Sequence, residues 1–177
     1  MTASGDHFNH RRKTGPSPEE REGFVAAAAE GDMKTVADFV AKFGKRHVDL
    51  RNAHGDTALT RAARFNQVAV VRQLLKAGAG VDVRDSHRGT ALMDAAVGGY
   101  VEVIGELIAH GADVTKKSYA HKTAQWYAEV NHHAQAAQLI ADAPRLREEA
   151  VRQTVDSCTN GLEKPLTVPK PLRFRVL

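Results

Sequence analysis

Three of the nine histidines recur at a nearly constant interval, and a series of imidazole nitrogens suggests metal binding. The interval from His87 to His121 is one position longer than the interval from His54 to His87. Histidines carried by successive packed helical units are separated by about 8 to 10 Å, whereas zinc requires its nitrogen ligands at about 2 Å. We therefore expect no metal site. The three histidines are interpreted as loop residues that could at most make partner binding pH-sensitive.

The single cysteine, Cys158, is the other candidate for chemistry. A nucleophilic thiol needs a nearby base and a lowered pKa, and the neighbouring sequence indicates neither. The chain also lacks a Gly-rich phosphate loop, an H-E-x-x-H motif and a paired-carboxylate motif. The sequence therefore gives no positive support for catalysis, and we predict a protein that is not an enzyme and needs no cofactor.

Cysteine usage and hydropathy also bear on location. A lone cysteine cannot form an internal disulfide, which favours a reducing compartment. No apolar run approaches the roughly 18 residues of a membrane helix, and the N-terminal residues lack the apolar core of a secretory signal. A cytoplasmic protein without membrane insertion is expected.

Three similar stretches follow one another at a constant interval: "TALTRAA" at 57–63, "TALMDAA" at 90–96 and "TAQWYAE" at 123–129. We call this interval one repeat. The same register continues beyond these stretches, because it also pairs Leu74 with Leu107 and Gly78 with Gly111. Such self-similarity is typical of stacked supersecondary units. The apolar spacing predicts two short helices in each unit, and helices this short need neighbouring units to cover their apolar faces.

Small residues and glycines fit this arrangement. The paired alanines of the first two stretches let the first helices of successive units approach closely. Gly78 and Gly111 follow the second helix, where a residue that can adopt positive φ closes the last turn.

The pattern G-x-T-x-L-x-x-A-A, followed by V-V-x-x-L-L and G-A-x-V, resembles the ankyrin repeat over about residues 17–143. The resemblance implies an all-α solenoid of stacked helix-turn-helix units with extended loop fingers. The family's T-P-L-H appears here as "TALT" and "TALM", without the proline or the histidine. In the third unit Gly89 stands one place late, beside Arg88, so that loop tip is expected to deviate from the usual turn.

The chain is predicted to contain a disordered segment at 1–16, a repeat domain at 17–143, a capping helix at 144–160 and an extended tail at 161–177. The four units span about 17–50, 51–83, 84–116 and 117–143. Ser17, Pro18 and Glu20 form the signature of a helix start with a capping box. In the last unit Gln125 replaces a core leucine, and we expect Trp126 and Tyr127 to cover the end of the core.

The tail alternates apolar and basic residues. Leu172, Phe174 and Val176 form one apolar edge, and we expect this edge to lie back along the stack; a free docking motif for a partner is the alternative.

The resemblance also implies the function, since ankyrin stacks bind proteins through a concave face formed by the fingers and first helices. We therefore expect a non-enzymatic adaptor or inhibitor, monomeric without its partner. The alternative is binding of nucleic acid or another polyanion through basic loops and termini, although the net charge is only +4. The residues at the family's contact positions are Arg51, Ala53, His54, Asp56, Arg64, Phe65, Arg84, Ser86, His87, Val97, Gly98, Lys117, Tyr119, Lys122, Val130 and Asn131.

Overall fold

A computed structural model describes residues 15–145 of the chain. The chain divides into two compact units, Met1–Ala143 and Pro144–Leu177, and the description below concerns the first. Three predictions fall wholly or largely outside the described residues: the disordered N-terminal segment, the capping helix at 144–160 and the tail at 161–177. Cys158 also lies outside them. Pro16, which the sequence analysis assigns to the N-terminal segment, is buried, and its carbonyl accepts a hydrogen bond from Arg21 Nε.

The described residues form helices joined by turns and contain no strand; a single isolated bridge pairs Arg51 with Thr57. Residues 134–143 are also helical. This confirms the predicted all-helical repeat solenoid. The remaining helices are α1 (Pro18–Glu30), α2 (Met33–Phe43), α3 (Ala58–Arg64), α4 (Val68–Lys76), α5 (Ala91–Gly98), α6 (Val101–Ala109) and α7 (Ala124–Val130), with a short 3-10 turn at Lys45–His47.

The first helix of each unit begins at a hydroxyl side chain. Ser17 and Glu20 form the predicted capping box at the start of α1, with Pro18 in the first helical position. In the later units Thr57, Thr90 and Thr123 cap α3, α5 and α7, and each hydroxyl accepts a backbone N–H from the first turn of its helix. These bonds satisfy N–H groups that have no partner inside the helix.

Positive φ angles recur at the same places in each unit. Gly78 and Gly111 follow the second helices with φ of 93° and 92°, as predicted. The finger tip is Gly55 in the second unit, with φ of 82°, and Arg88 in the third, with φ of 59°. The expectation that the third loop tip deviates is therefore wrong. The turn is kept, and Arg88 takes the left-handed conformation that glycine adopts one unit earlier.

The helices pack in two rows. The first helices α1, α3, α5 and α7 each contact the next, α2, α4 and α6 form the second row, and each of α1, α3 and α5 also packs on the second helix of its own unit. Ala62 and Ala95 are fully buried, as close packing of first helices requires. Leu74 and Leu107 fill the space between the two rows and expose none of their surface. Small residues between the first helices and large residues between the two rows therefore let successive units pack closely.

The two ends of the described stack are covered differently. In the first unit the rings of Phe24 and Phe39 stack with centroids 4.0 Å apart. In the fourth unit Tyr127 packs against the core, as expected. Trp126 is 36% exposed, and its ring contacts that of Tyr127 with centroids 5.2 Å apart. The prediction is therefore confirmed for Tyr127 only.

Candidate functional site

The fingers are the loop segments 51–57, 84–90 and 117–123, and side-chain bonds to the backbone fix their shape. Asn52 Oδ1 accepts hydrogen bonds from the backbone N–H of His54, at 3.0 Å, and of Asp56, at 2.9 Å. Asp85, the equivalent residue one unit later, accepts from His87 and Gly89 at 2.8 and 2.6 Å. Because the closing residue bonds two N–H groups, each of these finger tips has a defined conformation.

Neighbouring fingers are joined to one another. Ser86 Oγ donates to the carbonyl of His54 at 2.9 Å, and the N–H of Tyr119 donates to the carbonyl of His87 at 3.3 Å. Asp49 and Asp82 also accept backbone N–H groups of the next unit, from Gly80 and Asp113. The fingers therefore form a continuous row that successive units hold in register. We call the fingers together with the exposed sides of α3, α5 and α7 the finger face.

The structure places most of the predicted contact residues on the surface of the finger face. The exposed members are Arg51, Ala53, His54, Phe65, Ser86, His87, Val97, Lys117, Tyr119, Val130 and Asn131. The half-buried members are Arg64, Arg84, Gly98 and Lys122.

Asp56 differs from the rest of the predicted set because it is buried. Its carboxylate lies 3.7 Å from Arg61 Nη1 and 3.8 Å from Arg64 Nη2. A buried, ion-paired carboxylate is not accessible to a partner. We therefore assign Asp56 to the support of the face and remove it from the proposed contacts.

Large apolar side chains are exposed on the finger face. Within residues 15–145, six large hydrophobic residues are exposed, and five of them belong to the fingers or first helices of units two to four. These five are Phe65, Val97, Tyr119, Trp126 and Val130. Val97 and Val130 occupy equivalent positions one repeat apart, so the exposure recurs with the unit.

Cations lie against three of these aromatic rings. Arg88 is 5.4 Å from the ring centroid of Tyr119, and Lys122 is 4.5 Å from that of Trp126. Arg61 lies 5.0 Å from the ring of Phe65. Arginine and aromatic residues supply much of the binding energy in protein interfaces, and cation–aromatic packing holds such side chains in place before binding.

Beneath the exposed groups lies a cluster of charged side chains around Arg64. Its Nη2 atom is 3.2 Å from Asp94, 3.6 Å from Asp85 and 3.8 Å from Asp56. Burial raises the pKa of Asp94 to about 6, although the ion pair with Arg64 opposes the shift. The nearby carboxylates of Asp85 and Asp56 raise it further. One guanidinium therefore holds three carboxylates under the finger face, and Asp94 carries an unusually basic carboxyl group.

An open cavity of about 350 Å³ lies between the third and fourth fingers. Two carboxylates and other polar side chains, among them Arg64 and His87, border one part of it, and apolar or aromatic side chains border another. The residues that define this character are Asp85, Asp94, Met93, Val97, Tyr119 and Tyr127. Its mixed lining can hold an apolar side chain and offers hydrogen-bond acceptors at its edge.

Sequence reasoning did not assign six residues to this site: Asp85, Arg88, Met93, Asp94, Trp126 and Tyr127. The sequence does contain a signal for Asp94. Arg64 precedes Asp94 by slightly less than one repeat, and the difference is about one helical turn. An opposite charge at that offset lies close by on the neighbouring first helix. Lys122 stands shortly before Trp126 in the same unit, which is the corresponding signal for that pair. Arg88 and Tyr119 belong to different fingers, so their contact depends on the stacking of the units.

Two further classes of site are not found in the part of the chain that the structure describes. No group of three or more His, Cys, Asp and Glu side chains is placed there to hold a metal ion. None of the helices in that part is long and apolar enough to cross a membrane.

The fold and the site together define a helical-repeat protein. Its bonded fingers and most of the exposed large apolar side chains among the described residues lie on the finger face. A family model for ankyrin repeats, in three copies, matches residues 24–118, which is more than half of the chain. The chain therefore belongs to the ankyrin-repeat family. Ankyrin repeats are generally protein–protein interaction modules and typically non-enzymatic. A comparison with curated proteins gives no significant match.

Proposed function

We propose that this protein is a non-enzymatic adaptor or inhibitor that binds another protein through its finger face. The contacts are the predicted set without Asp56, together with Arg88 and Trp126. Arg64 and the carboxylates around it support the face from below. No cofactor takes part.

One observation carries the proposal: large apolar side chains are exposed where the repeat does not require them. Leu74 exposes none of its surface, whereas Phe65 at the end of the preceding helix is 48% exposed. Exposed aromatic and apolar groups beside arginines are typical of the energetic centre of a protein interface. The alternative, that Phe65 packs into the core, does not fit this exposure.

The same proposal extends to location and assembly. We propose a cytoplasmic protein that is monomeric until it meets its partner. The lone cysteine, Cys158, supports a reducing compartment. Each finger also bonds to its neighbour within the same chain, so the described finger face is complete in one copy.

Site-specific photo-crosslinking in the native source tests which face binds. A photoreactive residue placed at His54 or Val130 should crosslink to a discrete partner. The matched controls carry the same group at Lys76 or Glu102, which are also exposed but lie on second helices. Crosslinks from the control positions to the same partner, at equal yield, would contradict binding through the finger face.

A further inference from the structure

We propose that the segment recognised by the finger face is acidic and contains a large apolar side chain. Its carboxylates are bound by a row of three cations, Arg51, Arg84 and Lys117, which we call the basic row. The apolar side chain enters the cavity between the third and fourth fingers. This inference rests on the proposed function, because it names the chemistry of the partner at the same face.

The basic row has one member per unit. Arg51, Arg84 and Lys117 follow one another at intervals of one repeat. Each directly precedes the residue whose backbone N–H bonds to a carbonyl across its finger: Asn52, Asp85 and Ser118. None of the three pairs with a carboxylate within residues 15–145. Because the fingers are bonded to one another, the spacing of these charges is fixed before a partner arrives.

The carboxylates of the second and third fingers do not neutralise the basic row. Asp56 and Asp85 are buried, and both lie near Arg64. Glu22 is an exposed carboxylate beside the second finger, and it already accepts hydrogen bonds from Asn52 and Ala53. The exposed charge of the fingers themselves is therefore positive, which complements an acidic segment.

The cavity supplies the apolar half of the recognition. Met93, Val97 and Tyr119 line it, and Tyr119 and Lys117 belong to the same finger. Its volume of about 350 Å³ is at the lower end of ligand pockets, which span about 300 to 1,000 Å³. A pocket of this size suits one large side chain better than an extended ligand.

The same observations favour a protein over a nucleic acid. The guanidinium that borders the cavity, that of Arg64, is already paired with Asp85 and Asp94, so a phosphate that entered beside a stacked base would meet only paired charges. The rings of Tyr119 and Trp126 already have cations packed against them. A carboxylate-bearing peptide instead meets the basic row at the rim and places only its apolar group in the cavity.

Selection from a random-peptide display library against the full chain tests the inference. We expect the selected peptides to be enriched in Asp and Glu around an aromatic or large aliphatic residue. The variant Arg51→Glu/Arg84→Glu/Lys117→Glu should bind a selected peptide at least about tenfold more weakly in fluorescence anisotropy. The control variant Lys34→Glu/Arg46→Glu/Lys76→Glu has the same change in net charge at exposed positions away from the fingers. It should bind as the wild type does.

The outcomes separate the inference from the proposed function. Selected peptides without acidic enrichment that still lose affinity on Phe65→Ala would overturn the inference and leave the proposed function intact. Equal losses in the basic-row and control variants would also overturn the inference. Two results would contradict both the inference and the proposed function: a selection that enriches no binding peptides, or selected peptides whose affinity is unchanged by Phe65→Ala and by the basic-row variant. A single-stranded oligonucleotide could bind more tightly than the selected peptides and lose affinity for the basic-row variant. That result would overturn the acidic segment and favour a polyanion as the ligand.

Discussion

Nη2 of Arg64 donates to both carboxylate oxygens of Asp94, each at 3.2 Å, and so joins the end of α3 to the first turn of α5. The two residues belong to different units and lie directly beneath the finger face. Because Asp94 is largely buried, its charge is compensated by this guanidinium, its one ion-pair partner within residues 15–145. The support of the finger face is therefore sensitive to pH.

Asp94 should titrate near pH 6, because burial raises its pKa from the ordinary value of 3.8 to about 6. A carboxyl group with a raised pKa binds its proton more tightly in the folded state than in the unfolded state. Its contribution to the free energy of unfolding is therefore fully present below about pH 4 and is lost as the pH rises through 6, by at most about 3 kcal/mol. Titration of the Asp94 carboxyl carbon by NMR measures this pKa directly.

The variant Asp94→Asn provides the control, since it cannot titrate. The free energy of unfolding of the wild type minus that of Asp94→Asn should decrease between pH 4 and pH 7. A difference that stays constant over this range, together with a measured pKa below about 4.5, would contradict the account of Asp94.

Leu74→Ala should destabilise the stack by about 2 to 5 kcal/mol, because Leu74 is completely buried between the two rows of helices. Chemical denaturation of the full chain measures the loss. Met33→Ala is a suitable control, because Met33 is 47% exposed at the start of α2 and its truncation leaves no cavity. Equal losses for the two variants would show that Leu74 does not lie in a tightly packed core.

Two substitutions at one repeat position should act in opposite directions. Gly99 and His132 are equivalent residues of successive units and have φ of 68° and 61°. His132→Gly should raise the free energy of unfolding by about 1 kcal/mol, because glycine adopts this conformation at little cost. Gly99→Ala should lower it, since a Cβ atom there would lie 2.5 Å from the ring of His133.

Thermal or chemical unfolding of both variants gives the comparison. A loss of stability for His132→Gly as large as that for Gly99→Ala would contradict this account. It would show that the repeated backbone conformation does not determine the effect of substitutions at these positions.

The fold could be predicted because the units repeat. The pairing of Leu74 with Leu107 and of Gly78 with Gly111 is visible in the sequence and fixes both the core and the helix ends. The prediction that failed concerns the third finger tip, which Arg88 occupies. Local preference disfavours positive φ for arginine by about 1 to 2 kcal/mol, but the backbone bond between Asp85 and Gly89 and the neighbouring fingers keep the turn.

The site could be predicted only as a set of positions. The register identifies Phe65, Val97 and Val130 as positions outside the core, and all three are exposed. It does not reveal the contact between Arg64 and Asp94, because that contact depends on the lateral offset of two helices. Nor does it reveal that Asp56 is buried, since the direction of a loop side chain is set by its bonding partners.

The most direct test of the central claim compares Phe65→Ala with Leu74→Ala and Met33→Ala for both stability and binding of the partner identified by crosslinking. Phe65 and Met33 are similarly exposed, at 48% and 47%, but only Phe65 lies on the finger face. Phe65→Ala should weaken binding by at least about 1 to 2 kcal/mol with little change in the free energy of unfolding, while Met33→Ala changes neither. Unchanged affinity for Phe65→Ala, or a loss of stability comparable with that of Leu74→Ala, would contradict the assignment of this face as the binding surface.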